Sequence, residues 1–252
     1  MRNHFEKRIW QNAHRSLIVL ASIFTVGLVT MATLFLSSCS TPPGGGQSPN
    51  PTATLTAINT TANPYPPYKG TLALNDPLKD NSKGYAWNEL TQTDYGFCKF
   101  LGTAYHAKVS QNSSFFRCST DSLNFSNFAY QVQMTILTGD RGGIAFRADD
   151  AHGSLYLFTF GIDGTYRLSI IKNHNFVKRV SAGPSPAIKT GYNQSNLIAV
   201  VAQGNSFDLY VNQQHIAHAS DNTFSIGQIG VVASDTSKPT EVAFSNAKVW
   251  TL

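Results

Sequence analysis

The chain has 252 residues, is 42% hydrophobic, and carries 19 Lys and Arg against 14 Asp and Glu. Its formal charge of +5 is concentrated at the N-terminus, where Arg2, Lys7, Arg8 and Arg15 are opposed only by Glu6. The rest of the chain is nearly balanced and contains no basic patch or motif, which argues against a nucleic-acid partner. The length allows one large domain or two small ones.

An uncharged apolar segment, residues 17–36, follows the basic N-terminus. As a helix it would span about 30 Å, enough to cross a bilayer. The next residues end in Ser37-Ser38-Cys39 after Leu36, a sequence that resembles the bacterial lipobox. The resemblance implies a lipoprotein signal peptide over residues 1–39, lipidation of Cys39, and a domain anchored on the outer side of the cell membrane. An uncleaved signal anchor and a secreted soluble protein are the alternatives.

Residues 40–68 contain no charged side chain and hold seven of the eleven prolines, together with Gly44 to Gly46 and several threonines. A segment of this composition cannot build an apolar core. We predict a disordered Pro/Gly/Thr-rich linker over residues 40–68, long enough to hold a domain away from a membrane.

Residues 69–252 consist of short alternating segments separated by turn residues, with no long helical periodicity. In residues 128–136 every second side chain is apolar, and Ile144 and Phe146 continue this pattern after a glycine-rich turn. Asp163-Gly164 and Gly204-Asn205 each separate two apolar segments, as in hairpins. The pattern predicts an all-β domain, a two-sheet antiparallel β-sandwich of jelly-roll type.

The order of these segments between residues 124 and 252 resembles the jelly roll of the concanavalin A-like lectin/glucanase superfamily. It is most similar to the laminin-G-like and 3-keto-disaccharide hydrolase-type domains of exported bacterial proteins. The segments that carry the resemblance are GGIAFRADD, YLFTFGIDGTYRL, NLIAVVAQGNSFDLYVNQQHIA, FSIGQIGVVAS and TEVAFSNAKVW. The resemblance implies a ligand site on the concave face of a bent sheet, and it assigns no activity by itself.

Two cysteines, Cys98 and Cys118, remain after Cys39. An even number of cysteines in an exported domain favours one disulfide between them, and two buried thiols are the alternative.

Planar amide, guanidinium and phenol groups on the outward side of the strands are candidates for sugar binding, because they donate and accept hydrogen bonds in fixed directions. Alternation places Gln131, Gln133 and Arg147 on the surface opposite the core. Trp87 and Tyr85 could supply a stacking surface, although each aromatic side chain could instead pack in the core. The predicted ligand-binding residues are Gln131, Gln133, Arg147, Tyr156, Arg167 and Trp87.

The sequence lacks the paired carboxylates that glycoside hydrolysis requires. Glucanases of the resembled superfamily carry a Glu-x-Asp-x-x-Glu strand, whereas the corresponding strand here has Gln131 and Gln133. We therefore predict no catalytic residue. Other motifs of hydrolases and nucleotide-binding enzymes are also absent.

We expect no required cofactor or metal. His215 and His218 form the nearest histidine pair, and their i, i+3 spacing on a strand predicts side chains on opposite faces. Laminin-G-like domains often bind calcium at a rim loop, which makes Asp149 and Asp150, with Asp140, weak calcium candidates. Adjacent aspartates more often shape a turn.

Together these features predict a surface-anchored lipoprotein whose monomeric jelly-roll domain binds carbohydrate or a similar extracellular ligand without catalysis. The alternatives are a carbohydrate-active hydrolase of the 3-keto-disaccharide hydrolase type and a domain that contacts other proteins. Catalysis would require converging carboxylates, and a protein-binding domain would require a broad exposed apolar patch.

Overall fold

The computed structural model describes residues 61–92, 94–110 and 115–252, apart from the side chains of residues 121 and 122. Cys39, the predicted signal peptide and residues 40–60 of the predicted linker lie outside these ranges. Across the described ranges, no helix is both long enough and apolar enough to span a bilayer.

The regular structure of the described residues consists of strands, most of them five to twelve residues long. In chain order they are β1 Thr71–Asp76, β2 Leu90–Gln92, β3 Gly96–Leu101, β4 Ala104–Val109, β5 Phe115–Phe125, β6 Phe128–Thr138, β7 Arg141–Asp149, β8 Ser154–Gly161, β9 Thr165–Lys172, β10 Asn175–Pro184, β11 Ser195–Gln203, β12 Ser206–Val211, β13 Gln214–Ser220, β14 Gly227–Ser234 and β15 Thr240–Thr251.

The strands form two antiparallel sheets. The nine-stranded sheet has the order β13-β12-β11-β6-β15-β4-β3-β2, and β1 pairs with the C-terminal half of β15 beyond the part that pairs with β4. The six-stranded sheet has the order β10-β9-β8-β7-β14-β5. The long strand β15 therefore pairs with three strands of the nine-stranded sheet, β1, β4 and β6.

Each sheet turns one face towards a shared apolar core. Tyr130 and Val132 enter this core from β6, and Ile144, Phe146 and Phe158 enter it from β7 and β8. All five side chains are fully buried. Alternation predicted the core residues of β6 and β7, and the predicted all-β antiparallel sandwich is confirmed.

The turn between β6 and β7 carries the chain from one sheet to the other. Gly139 has a φ of 87° in this turn, and a Cβ atom there would overlap Thr240, so that only glycine fits. Because β6 and β7 belong to different sheets, their outward side chains face opposite sides of the sandwich. This separation determines where the predicted ligand-binding residues lie.

Residues 61–68 pack against the nine-stranded sheet, so the predicted linker boundary at residue 68 is wrong. The Tyr65 side chain is 1% exposed, donates a hydrogen bond to the Oε1 of Gln131 at 3.0 Å, and packs against the ring of Tyr210. The indole of Trp250 donates to the carbonyl of Thr61. The prediction used the average composition of residues 40–68, which does not show that a single aromatic side chain, Tyr65, is buried. Burial of such a large ring favours an ordered chain.

Cys98 in β3 and Cys118 in β5 form a disulfide. Both residues are fully buried, and their strands belong to different sheets. The bond therefore ties the nine-stranded sheet to the six-stranded sheet.

His215 and His218 lie on the same side of β13, so the prediction of opposite faces is wrong. The Nε2 of His215 and the Nδ1 of His218 lie 3.0 Å and 2.9 Å from the same Oδ1 of Asp208. The pairing of β12 with β13 shifts by one residue between Leu209 and Tyr210. This bulge adds a residue between the histidines, which reverses the alternation.

Candidate functional site

The structure separates the predicted ligand-binding residues. Gln131 and Gln133 lie on β6, on the outer face of the nine-stranded sheet. The amide oxygen of Gln131 accepts a hydrogen bond from Tyr65, and the Nε2 of Gln133 donates to the Oγ of Ser195 at 2.6 Å. Both amides have structural partners, and their role in ligand binding stays a prediction.

Arg147 points into the sandwich, so its predicted outward orientation is wrong. The residue is 1% exposed, its Nε and Nη2 donate to the carbonyl of Ser126, and its Nη1 donates to the carbonyl of Phe224 at 3.0 Å. Its guanidinium also lies 5.2 Å from the ring centroid of Phe207. Arg147 has a φ of 46°. Next to Arg147, the register of β7 shifts relative to both of its neighbours, β8 and β14. This bulge turns Arg147 inward.

Trp87 and Tyr156 are also interior, which contradicts their predicted place in a surface site. Trp87 is 2% exposed and donates its indole N–H to the Oδ2 of Asp76 at 3.0 Å. Tyr156 is fully buried and donates its hydroxyl to the Oδ1 of Asp221 at 2.7 Å. Burial raises the pKa of Tyr156 to about 12. Tyr85, the second proposed stacking residue, packs against the same core.

The three predicted calcium candidates have separate partners. Asp149 contacts the Nδ1 of His152 at 2.7 Å, and Asp150 forms an ion pair with Arg117. Asp140 accepts two backbone hydrogen bonds from the loop after β14. In the part of the chain that the structure describes, no three or more His, Cys, Asp or Glu side chains form a group that could hold a metal ion.

Arg167 is the one predicted ligand-binding residue on the outer face of the six-stranded sheet. The strand registers align Arg167 with Thr159, Gly143, Val232 and Arg117 in one row across five strands. This row lies opposite the core, because it alternates along each strand with the core-facing side chains. Arg167 and Arg117 therefore lie at the two ends of one row.

Two further arginines belong to this surface. Arg141 lies two residues before Gly143 on β7, and Arg179 pairs with Ser169 on β9, two residues after Arg167. We call the outer surface carrying Arg117, Arg141, Arg167 and Arg179 the arginine face.

The sequence interpretation missed Arg117, Arg141 and Arg179. Alternation could have identified two of them, since Arg117 lies between Phe116 and Cys118, which contact the core, and Arg141 shares parity with Gly143.

The centre of the arginine face combines small residues on β7 with apolar side chains on the neighbouring strands. After Arg141, the outward positions of β7 are Gly143 and Ala145, and Ala145 aligns with Gly230 on β14. A Cβ atom on Gly143 would overlap the backbone of β8, and one on Gly230 would lie 2.7 Å from the carbonyl oxygen of Cys118. Ala145 packs with Leu157 and Val232 in a buried apolar cluster, so the face has an apolar, buried centre with arginines along its borders.

Arg141 is held in one orientation. Its Nη1 donates to the Oγ1 of Thr165 at 3.0 Å, and its Nη2 donates to the carbonyl of the same residue. A Cβ atom on Gly161 would lie 2.8 Å from the Nη1 of Arg141, so the glycine makes room for the guanidinium. Burial, followed by repulsion from Arg167, lowers the pKa of Arg141 to about 10. The side chain is 4% exposed, stays cationic at neutral pH, and leaves its Nε without a partner.

Arg117 has a similar arrangement on the other side of the face. Its Nη2 pairs with Asp150, whose other oxygen accepts a hydrogen bond from the Oγ of Ser119 at 2.9 Å. Burial lowers the pKa of Arg117 to about 10, so that the side chain remains cationic at neutral pH. Its Nη1 is buried and has no hydrogen-bond partner. The arginine face thus holds two buried guanidinium N–H groups that lack an acceptor.

No family model matches this chain, and no curated protein sequence is similar to it. Solved structures do match it. The carbohydrate-binding module CBM66 from Bacillus subtilis is 20% identical, with a TM-score of 0.54, over 66% of this chain and 96% of the module. A Bacillus subtilis protein of unknown function with a galectin-like fold is 12% identical, with a TM-score of 0.52, over 73% of this chain and 97% of that protein.

A native glycosidic hydrolase is 9% identical, with a TM-score of 0.51, over 70% of this chain and 94% of that one. At these identities the similarity concerns the fold, because one fold supports many activities. The two antiparallel sheets and these structural similarities agree on one architecture. The described part of this chain is a two-sheet antiparallel β-sandwich whose fold is similar to the folds of these three proteins.

Proposed function

We propose that this protein is a surface lipoprotein whose sandwich domain binds carbohydrate through the arginine face, without catalysis. One observation carries the proposal: on this face, one buried guanidinium nitrogen of Arg117 and one of Arg141 lack an acceptor. Buried polar groups nearly always have hydrogen-bond partners, and an unpaired one is therefore informative. The similarity in fold to a carbohydrate-binding module supports the same proposal.

The shape of the face suits an extended ligand. Its arginines lie on several neighbouring strands around a buried apolar centre. Guanidinium N–H groups at the borders can donate to hydroxyl and ring oxygens of the sugar in fixed directions. The expected contacts are polar and lie at the borders of the face.

The electrostatics of the face favour binding over hydrolysis. Glycoside hydrolysis needs one carboxyl group that stays protonated as a general acid. Partial burial opposes ionisation of Asp163, but hydrogen bonds from Thr165 and the charge of Arg141 outweigh it and lower the pKa of Asp163. Asp150 is engaged by Arg117 and Ser119. Neither carboxyl group is arranged as a general acid.

Affinity electrophoresis of the full-length protein in detergent, against a panel of neutral and acidic polysaccharides, tests the proposal. We expect retardation by at least one polysaccharide and no release of reducing ends. Arg167→Ala should weaken binding about 10-fold, because it removes charge-assisted hydrogen bonds. Lys83→Ala, which removes an exposed cation between β1 and β2, is the control and should leave binding unchanged. Turnover of the bound polysaccharide would contradict the non-catalytic part of the proposal.

We further propose that Cys39 carries the lipid that anchors the domain outside the cell membrane. The lipobox-like sequence before Cys39 supports this proposal. Metabolic labelling with a fatty acid should label the wild-type protein and fail to label Cys39→Ser, which should accumulate as a longer precursor. An unlabelled wild-type protein that retains residues 1–38 would instead support an uncleaved signal anchor.

A further inference from the structure

We propose that the arginine face selects a polysaccharide whose sugars carry repeated negative charges, from carboxylate or sulfate groups. This inference rests on the proposed carbohydrate-binding function and specifies the chemical class of its ligand.

The charge of the face is the first support. Four guanidinium groups lie on it, and four aspartates act on two of them: Asp149 and Asp150 on Arg117, and Asp140 and Asp163 on Arg141. Asp150 pairs with Arg117, and Asp163 lies 3.5 Å from the Nη1 of Arg141. Beyond the backbone pairing of their strands, Arg167 and Arg179 form no hydrogen bond or ion pair with any described residue. Arg167 and Arg179 are therefore the guanidinium groups of the face that can form ion pairs with a charged ligand.

The unpaired donors are the second support. The Nε of Arg141 and the Nη1 of Arg117 are both buried without an acceptor. A carboxylate or sulfate oxygen forms a shorter and stronger bond with a guanidinium than a sugar hydroxyl does. An anionic group therefore compensates these two donors better than a neutral sugar.

Preorganisation is the third support. Hydrogen bonds to Thr165 fix the guanidinium of Arg141 before a ligand binds. The absence of a side chain at Gly161 leaves room for this orientation. Asp150 similarly fixes Arg117. A ligand that meets fixed donors loses less conformational freedom on binding than one that must order them.

The spacing of the arginines indicates a polymer. Arg167 and Arg117 occupy the same row and are separated by four strand spacings, or about 19 Å. Arg141 lies on β7 between their strands. A single charged sugar cannot reach both borders, whereas a chain with charges along its length can contact all three arginines.

Matched pairs of polysaccharides provide the test. Polygalacturonate is compared with its methyl ester, which has the same backbone without the carboxylate charge, and dextran sulfate is compared with dextran. Polyglutamate serves as a polyanion without sugar. Binding of the full-length protein in detergent is measured by affinity electrophoresis at low and high salt.

Two variants of Arg179 separate charge from geometry, because this side chain is exposed and makes no hydrogen bond to a described residue. Arg179→Gln should weaken binding of the charged polysaccharide about 10-fold, and Arg179→Lys should weaken it less. Lys189→Gln is the matched control, since it removes an exposed cation from the loop before β11. High salt should weaken binding of the wild-type protein.

The outcomes are distinct. Binding of polygalacturonate but not of its ester supports the inference and identifies carboxylate, and binding of dextran sulfate alone supports it and identifies sulfate. Equal binding within both pairs, unchanged by Arg179→Gln, overturns the inference and leaves carbohydrate binding in place. Equal binding of polyglutamate overturns the selection of a sugar. Failure to bind any polysaccharide, neutral or charged, overturns the proposed function as well.

Discussion

Replacing Arg147 with methionine is expected to lower the free energy of unfolding by about 3–5 kcal/mol. The guanidinium supplies the donors for the carbonyls of Ser126 and Phe224 inside the sandwich. Methionine has a similar length and fills much of the space, but it donates nothing, so both buried acceptors lose their partners. It also removes the cation from the face of the Phe207 ring.

Urea denaturation followed by tryptophan fluorescence measures this change. Arg179→Met is the matched control, because it makes the same substitution at an exposed position, where we expect a change within about 0.5 kcal/mol. A loss of less than about 1 kcal/mol on replacing Arg147 would show that water can replace the guanidinium. It would contradict the view that Arg147 stabilises the loops that contain Ser126 and Phe224.

Removing the disulfide in the double variant Cys98→Ala/Cys118→Ala is expected to cost about 3 kcal/mol in the chain-entropy model. The bond closes a loop with a sequence separation of 20 and joins the two sheets. Its absence leaves the unfolded chain more freedom while the folded sheets stay packed. The two smaller side chains add a cavity in the core, because both cysteines are fully buried.

Denaturation of the double variant and of the reduced wild-type protein separates these contributions. Reduction alone should reproduce most of the loss, since it keeps both sulfur atoms. Mass spectrometry of the oxidised protein, alkylated after denaturation without a reductant, should find neither cysteine modified. Two alkylated thiols in that sample would contradict the pairing.

Alternation predicted the sandwich and its core well, because burial of one face of a strand is a local property of the sequence. Residues 128–136 illustrate this, since every second side chain from Phe128 to Ile136 belongs to the shared core. The sheet to which each strand belongs was not predictable in this way. Gln131 and Arg167 both point outward, yet they lie on opposite sides of the sandwich because β6 and β9 belong to different sheets.

The errors at Arg147 and at His218 share a cause. In both strands a bulge inserts one residue, and every side chain after it changes face. The bulge in β7 lies against Gly227 of β14, where a Cβ atom would overlap the backbone of Arg147. This contact joins residues 80 positions apart, and no local pattern around Arg147 reveals it.

A crystal structure of the protein with a bound oligosaccharide, taken from whichever polysaccharide binds most tightly, tests the assignment of the ligand surface most directly. We expect the sugar on the outer face of the six-stranded sheet, with its oxygens within hydrogen-bond distance of the guanidinium of Arg141 or Arg167. A sugar bound on the nine-stranded sheet beside Gln133, without contact to any of the four arginines, would contradict the assignment.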